Sequence, residues 1–158
     1  MARTALALRL LLPPLLIGMI VAISFLEAPL KFLAPGITIP LGLGIGRLVF
    51  TALNSATGIV LVVLTLASLR PRPARAPLVL LASIWLVYLV EVAVIRPVLN
   101  RRSDLVLAGA QAPGTDWAHY AYIAADAALL ALLVALAVVT VRRLLPATVT
   151  APRQPVGA

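Results

Sequence analysis

An all-α, integral-membrane four-helix bundle is the fold this sequence predicts, and three observations predict it. Of 158 residues, 63% are hydrophobic and 11% charged, with a mean hydropathy of +1.11; a soluble domain carries about 25% charged and about 45–50% apolar residues. Four apolar stretches each reach the roughly 20 residues that a helix needs to cross a bilayer. Short breaks rich in arginine, proline and glycine separate them. One domain at residues 1–145 holds the four helices, and a proline-containing tail without periodicity, residues 146–158, reads as disordered.

The first helix is expected over about residues 10–29, with Pro13 and Pro14 in its first turns, where missing N–H groups cost least. Arg3 and Arg9 before an apolar run resemble a secretory signal, but no small-x-small cleavage site follows, so the helix is read as retained. Residues 28–40 are too proline-rich for a helix and too apolar for a free loop, which places them in the membrane interface. The second helix spans about 41–69, opens on Gly42, Gly44 and Gly46, and is stopped by the run Arg70 to Arg75. The third occupies about 76–95 and closes at Arg96 and Pro97. A polar loop holding Arg101, Arg102, Asp104, Gly109, Gly114 and Asp116 leads to the fourth helix, about 117–141, which ends at Arg142 and Arg143.

Short connections make the bundle antiparallel and up-down, and basic residues orient it. Arg3, Arg9, Arg70, Arg72, Arg75, Arg142, Arg143 and Arg153 fall on one side, against Lys31, Arg96, Arg101 and Arg102 on the other. Both termini are therefore expected in the cytoplasm. A bias to Arg over Lys, with much Ala, Leu, Val and Pro, points to a GC-rich bacterial genome and so to a bacterial inner (cytoplasmic) membrane. The formal net charge of +8 is explained by this topology rather than by nucleic acid, because the basic residues sit between apolar spans.

Ionisable residues inside a span cost roughly 2.5–3.5 kcal/mol on insertion scales, so each needs a partner or a purpose. Glu27 reaches the outer end of the first helix and Arg47 the outer end of the second. Glu91 lies just below the outer end of the third helix, beneath Arg96. Asp126 lies nine residues past Trp117, about 13 Å deeper, near the midplane. Residues three, four and seven apart share a helix face. Arg47, Thr51 and Asn54 thus form one polar stripe, Tyr88 and Glu91 a second, His119, Tyr122 and Asp126 a third, and Ser24 and Glu27 a fourth.

Four stripes avoiding lipid should converge on an interior pocket opening outward, lined by Glu27, Arg47, Asn54, Tyr88, Glu91, Arg96, His119, Tyr122 and Asp126. A competing reading makes Arg47, Arg96, Glu27, Glu91 and Asp126 a structural ion-pair network, with a protonated Asp126 bonded to Asn54. Trp117, Tyr120 and Tyr122 also suit an aromatic belt. Gly42 and Gly46 lack the Lys-Ser/Thr of a phosphate loop and read as a small-xxx-small spacing for close helix approach.

With no cysteine, thiolate chemistry and iron–sulfur clusters are excluded, and the lone His119 gives no metal-ligand spacing. No nucleophile elbow or His-Glu-x-x-His is present, so no catalytic residue, metal or cofactor is assigned.

Residues 25–32, Phe-Leu-Glu-Ala-Pro-Leu-Lys-Phe, with Gly42, Gly46 and Phe50, then Arg96 to Asn100 and Trp117 to His119, resemble the transmembrane protein 205-like family. That resemblance implies a small four-helix membrane protein of a group without a known function. The run Arg96-Pro-Val-Leu-Asn100 is also similar to the anthrone-oxygenase-like membrane proteins. The function expected is an accessory subunit or a small-solute or proton-linked permease. The alternative is a small membrane oxidoreductase or oxygenase acting on a quinone-like substrate. Expected partners are the lipid bilayer and either a second copy or another membrane subunit.

Overall fold

The structure, a computed structural model, describes residues 2–69, 75–110 and 116–144. The tail expected at 146–158 lies outside the described residues, as do residues 70–74 and 111–115 of the two later connections. All regular structure among the described residues is helical. Four helices are long and apolar enough to cross a membrane: α1 (Arg3–Leu33), α2 (Ile39–Ser68), α3 (Arg75–Leu107) and α4 (Trp117–Arg143). At 1.5 Å per residue they run about 40–50 Å, longer than the roughly 30 Å hydrocarbon layer.

Three boundaries differ from expectation. Helix begins already at Ala2, so Pro13 and Pro14 lie in the interior of α1 rather than in its first turns. Pro13 is fully buried, and packing against neighbouring helices carries the chain across both rings. The helical path also continues beyond residue 29, through Ala28–Leu30 and a tight final turn at Lys31–Leu33, so the interfacial connection shrinks to a short turn around Gly36. The largest difference is in α3, where Arg96–Leu107 is helical and not loop. Its arginines and leucines are good helix formers. The helix stops only at Gly109, where a φ of 75° suits glycine and Ala110 N–H reaches back to the Leu105 carbonyl.

Widened, π-helical turns interrupt α1 at Val21–Glu27 and α3 at Glu91–Ile95. Each lies just before a proline, Pro29 or Pro97, set in the first turn of the helical segment that follows. A proline ring clashes with the carbonyl one turn back and offers it no N–H. The wider turn relieves this, and Ala28 and Arg96 N–H groups bond the carbonyls five residues earlier, at Ile23 and Glu91. α2 starts cleanly because the Thr38 hydroxyl accepts the Leu41 N–H.

α1 packs on α2 and α4, and α4 on α3. Leu16, Ile20, Leu61, Leu64, Leu81, Ile84, Leu129, Leu133 and Leu136 fill the core. Polar links lock its edges: Trp85 Nε1 donates to Thr65 Oγ1 at 2.9 Å, and Arg9 Nε donates to the Ala67 carbonyl at 2.7 Å. The outward faces are apolar, with Leu48, Ile59, Leu66 and Leu86 each well exposed, as lipid-facing positions are. Together these features make the chain a multi-pass membrane protein.

Candidate functional site

Beyond the leucine core, toward the ends of α1 and α3 and the starts of α2 and α4, the bundle opens into a cavity of about 470 Å³. The widened turns of α1 and α3 sit at this level, and all four helices contribute walls. Gly42 and Gly46 shape it. They do not bring two helix backbones together through a bare face. Instead the Phe32 ring lies where a side chain on Gly42 would be, and Lys31 Nζ lies 2.9 Å from where a Cβ on Gly46 would be. Removing two β-carbons from α2 thus lets Lys31 and Phe32 fold over it as part of the wall.

Of the nine residues predicted to line a pocket, Arg47, Arg96, His119, Tyr122 and Asp126 do line it. Glu27 stands behind the wall and binds Lys31 Nζ at 3.3 Å. Asn54 and Tyr88 lie away from the cavity: Tyr88 donates its hydroxyl to the Asn54 carbonyl at 2.9 Å, across Gly58. Glu91 is 2% exposed and also does not line the cavity, but it is within electrostatic reach of Asp126, Arg96 and Tyr122. Tyr122 is buried in the site, whereas Trp117 and Tyr120 are exposed as belt residues are.

The expected ion-pair network does not form. Arg47 bonds Asp104, on the helical extension of α3, and Glu27 bonds Lys31. No ion pair among the described residues joins Arg47 or Arg96 to Glu27, Glu91 or Asp126, and no hydrogen bond joins Asp126 to Asn54. Arg96, 9% exposed, is held by rings: its guanidinium carbon lies 5.3 Å from the centroid of Phe50 and 5.8 Å from that of Tyr122. Lys31 Nζ lies 5.6 Å from the same Phe50 centroid and 5.6 Å from that of Phe32. Phe50 and Tyr122 meet edge to face at 5.3 Å. Cation–ring contacts of this kind are worth about 0.5–1 kcal/mol when exposed and about 2 when desolvated.

Sequence reasoning missed Lys31, Phe32, Phe50, Asn100, Ser103 and Asp104. The stripe rule that found Arg47 also reaches Phe50, three residues past it, and applied from Arg96 it reaches Asn100 and Ser103, four and seven residues on, once α3 is known to continue. Ser24 Oγ, Glu91 Oε2 and Tyr122 Oη are buried and make no well-aligned hydrogen bond among the described residues, although Tyr122 lies within side-chain hydrogen-bonding reach of Glu91 and Ser24 within reach of Asp126. Ser24 and Tyr122 both line the cavity. Among the described residues no three His, Asp or Glu side chains gather as ligands for a metal ion. The arrangement is suited to holding a small molecule by one polar end against a mostly apolar wall. No family model, curated protein or solved structure matches the chain.

Proposed function

We propose that the chain crosses a bacterial inner membrane four times, up and down in turn, with both termini in the cytoplasm. Its cavity then opens outward and takes up a small solute, as a permease or as the solute-binding subunit of a larger transporter. One observation carries this reading: a cavity of about 470 Å³ walled by all four helices, holding the buried Arg96 without an ion-pair partner among the described residues. Ligand pockets measure about 300–1,000 Å³ and combine apolar walls with a few convergent polar groups. Asp126 in the wall and Glu91 behind it are buried carboxylates at membrane depth, where ionisable groups commonly mark solute and proton paths. The up-down order is supported by contacts between opposite helix ends, Arg9 of α1 with Ala67 of α2, and Arg47 of α2 with Asp104 of α3.

Native mass spectrometry on protein extracted gently from its own membrane tests the reading. A bound molecule of defined mass is expected, and filling the cavity with Ile123→Trp should remove it. A chain carrying no bound molecule, or a bound mass, lipid included, that is indifferent to Ile123→Trp, overturns the solute pocket. Orientation is tested separately, since the sequence has no cysteine of its own. Ser103→Cys should react with an impermeant maleimide added outside intact cells, and Ser68→Cys only in inverted vesicles; the reverse pattern overturns the outward-facing cavity.

A further inference from the structure

Three cations line the cavity, and two are already engaged: Lys31 with Glu27 and Arg47 with Asp104. Arg96 differs. No hydrogen bond or ion pair to it is formed among the described residues, and the rings of Phe50 and Tyr122 hold its guanidinium while leaving its N–H donors unspent. The guanidinium nitrogens are not sealed off by protein and so stay open to the cavity, where their planar fork matches a carboxylate or a phosphate. Beside it in the cavity wall stand Tyr122, a residue 5% exposed whose side chain lies within hydrogen-bonding reach of Glu91, and Ser24, which lies within reach of Asp126. Phe25, Phe32, Leu43, Leu99 and Ile123 make the remaining wall apolar.

Resting on the solute-binding reading above, we infer that the solute is a singly charged amphiphile. Its oxyanion headgroup, of carboxylate type, sits on Arg96 beside Tyr122 and Ser24, and its apolar body lies against Phe25, Phe32 and Ile123. Asp126 in the wall and Glu91 behind it lie within electrostatic reach of Arg96 and oppose a second negative charge on the headgroup. The guanidinium fork offers donors that only an acceptor headgroup can use, which disfavours a cationic amphiphile.

The test uses the whole chain in phosphatidylcholine nanodiscs and three probes of equal chain length: decanoate, decanol and decyltrimethylammonium. Decanoate should bind saturably and more tightly than either of the others. Arg96→Gln should weaken decanoate by about tenfold or more, the loss expected for a hydrogen bond to a charged group. Arg96→Lys, which keeps the charge and loses the fork, should fall between, and it guards against a Gln variant that fails to fold. Ile123→Trp should abolish binding.

Decanol or decyltrimethylammonium binding as tightly as decanoate, with Ile123→Trp still abolishing it, keeps the solute pocket and overturns the anionic class. So does decanoate binding unaffected by either Arg96 variant. No saturable binding of any probe, or binding indifferent to Ile123→Trp, overturns the pocket itself. Exchanging part of the phosphatidylcholine for phosphatidylglycerol identifies the source of the oxyanion. Competition with decanoate makes it a lipid headgroup and lack of competition makes it a free amphiphile; both outcomes support the oxyanion at Arg96.

Discussion

The guanidinium of Arg96 on α3 lies 5.3 Å from the centre of the Phe50 ring on α2, and Lys31 of α1 reaches the same ring at 5.6 Å. One phenyl ring therefore ties three helices together at the level of the cavity, and among the described residues no carboxylate pairs with Arg96. Within lipid there is little hydrophobic drive between helices, so such contacts carry more of the association than they would in a soluble bundle. Phe50→Leu keeps an apolar side chain but removes both cation contacts and the edge-to-face pair with Tyr122. It should lower stability by about 1–3 kcal/mol. Phe50→Trp should lose less, because it keeps a ring for the cations. Reversible unfolding in mixed micelles, with the three proteins side by side, measures the difference.

The glycines of α2 should sort by what lies beside them. Nothing lies within 4 Å of a Cβ built on Gly44, so Gly44→Ala should gain helix propensity, up to about 1 kcal/mol. Gly42→Ala drives a methyl into the Phe32 ring, and Gly58→Ala places one 2.5 Å from the Tyr88 hydroxyl that bonds the Asn54 carbonyl. Both should destabilise, the second by about 1–3 kcal/mol as that bond is lost. Phe32→Ala should rescue Gly42→Ala and leave Gly58→Ala unimproved. Thermal unfolding of the single and double variants reads this order directly.

The four spans were legible because hydropathy over some 20 residues is a strong and local signal. The helical extension of α3 was not, since Arg101, Arg102 and Asp104 read equally well as loop, and only the packed structure shows that Arg96–Leu107 stays helical after Pro97. Within the site, helical spacing located Arg47, Tyr122 and Asp126, each on a polar stripe, and depth located Arg96, just above Glu91. Pairing was a different matter. Glu27 turned to Lys31 one turn along its own helix, and Arg47 to Asp104, a residue assigned to a loop. Aromatic partners such as Phe50 and Phe32 carry no polar signature in an apolar span, so composition could not set them apart from lipid-facing residues.

The Arg47–Asp104 ion pair is a natural place to overestimate energy. Its side chains are 42% and 56% exposed, so water screens the attraction and ordering two long side chains offsets much of it. A double-mutant cycle with Arg47→Gln and Asp104→Asn should give a coupling of about 0.2–1 kcal/mol, falling toward zero in high salt. A coupling above that range that persists in high salt would mean the pair is desolvated by lipid headgroups or by a second chain.

Glu91 and Asp126 are each 2% exposed, and neither joins an ion pair among the described residues. A buried carboxylate without a paired cation contributes little to stability, so neutral isosteres should be tolerated. Glu91→Gln and Asp126→Asn should leave the unfolding midpoint within about 1 kcal/mol of the parent. Their functional effects should part company. Asp126 stands in the cavity wall with Ser24 and Tyr122, whereas Glu91 lies behind it. If the solute moves with a proton, the group that carries it must meet the solute, which makes Asp126 the carrier and Glu91 its electrostatic neighbour. In proteoliposomes under an imposed pH gradient, Asp126→Asn should abolish gradient-driven uptake of decanesulfonate, whose headgroup stays ionised and does not cross the bilayer as a neutral acid, while retaining saturable decanoate binding. Glu91→Gln should slow uptake without uncoupling it. Uptake that still follows the gradient in Asp126→Asn would remove the proton role from Asp126 and leave it as a wall residue that fixes the charge of the headgroup site.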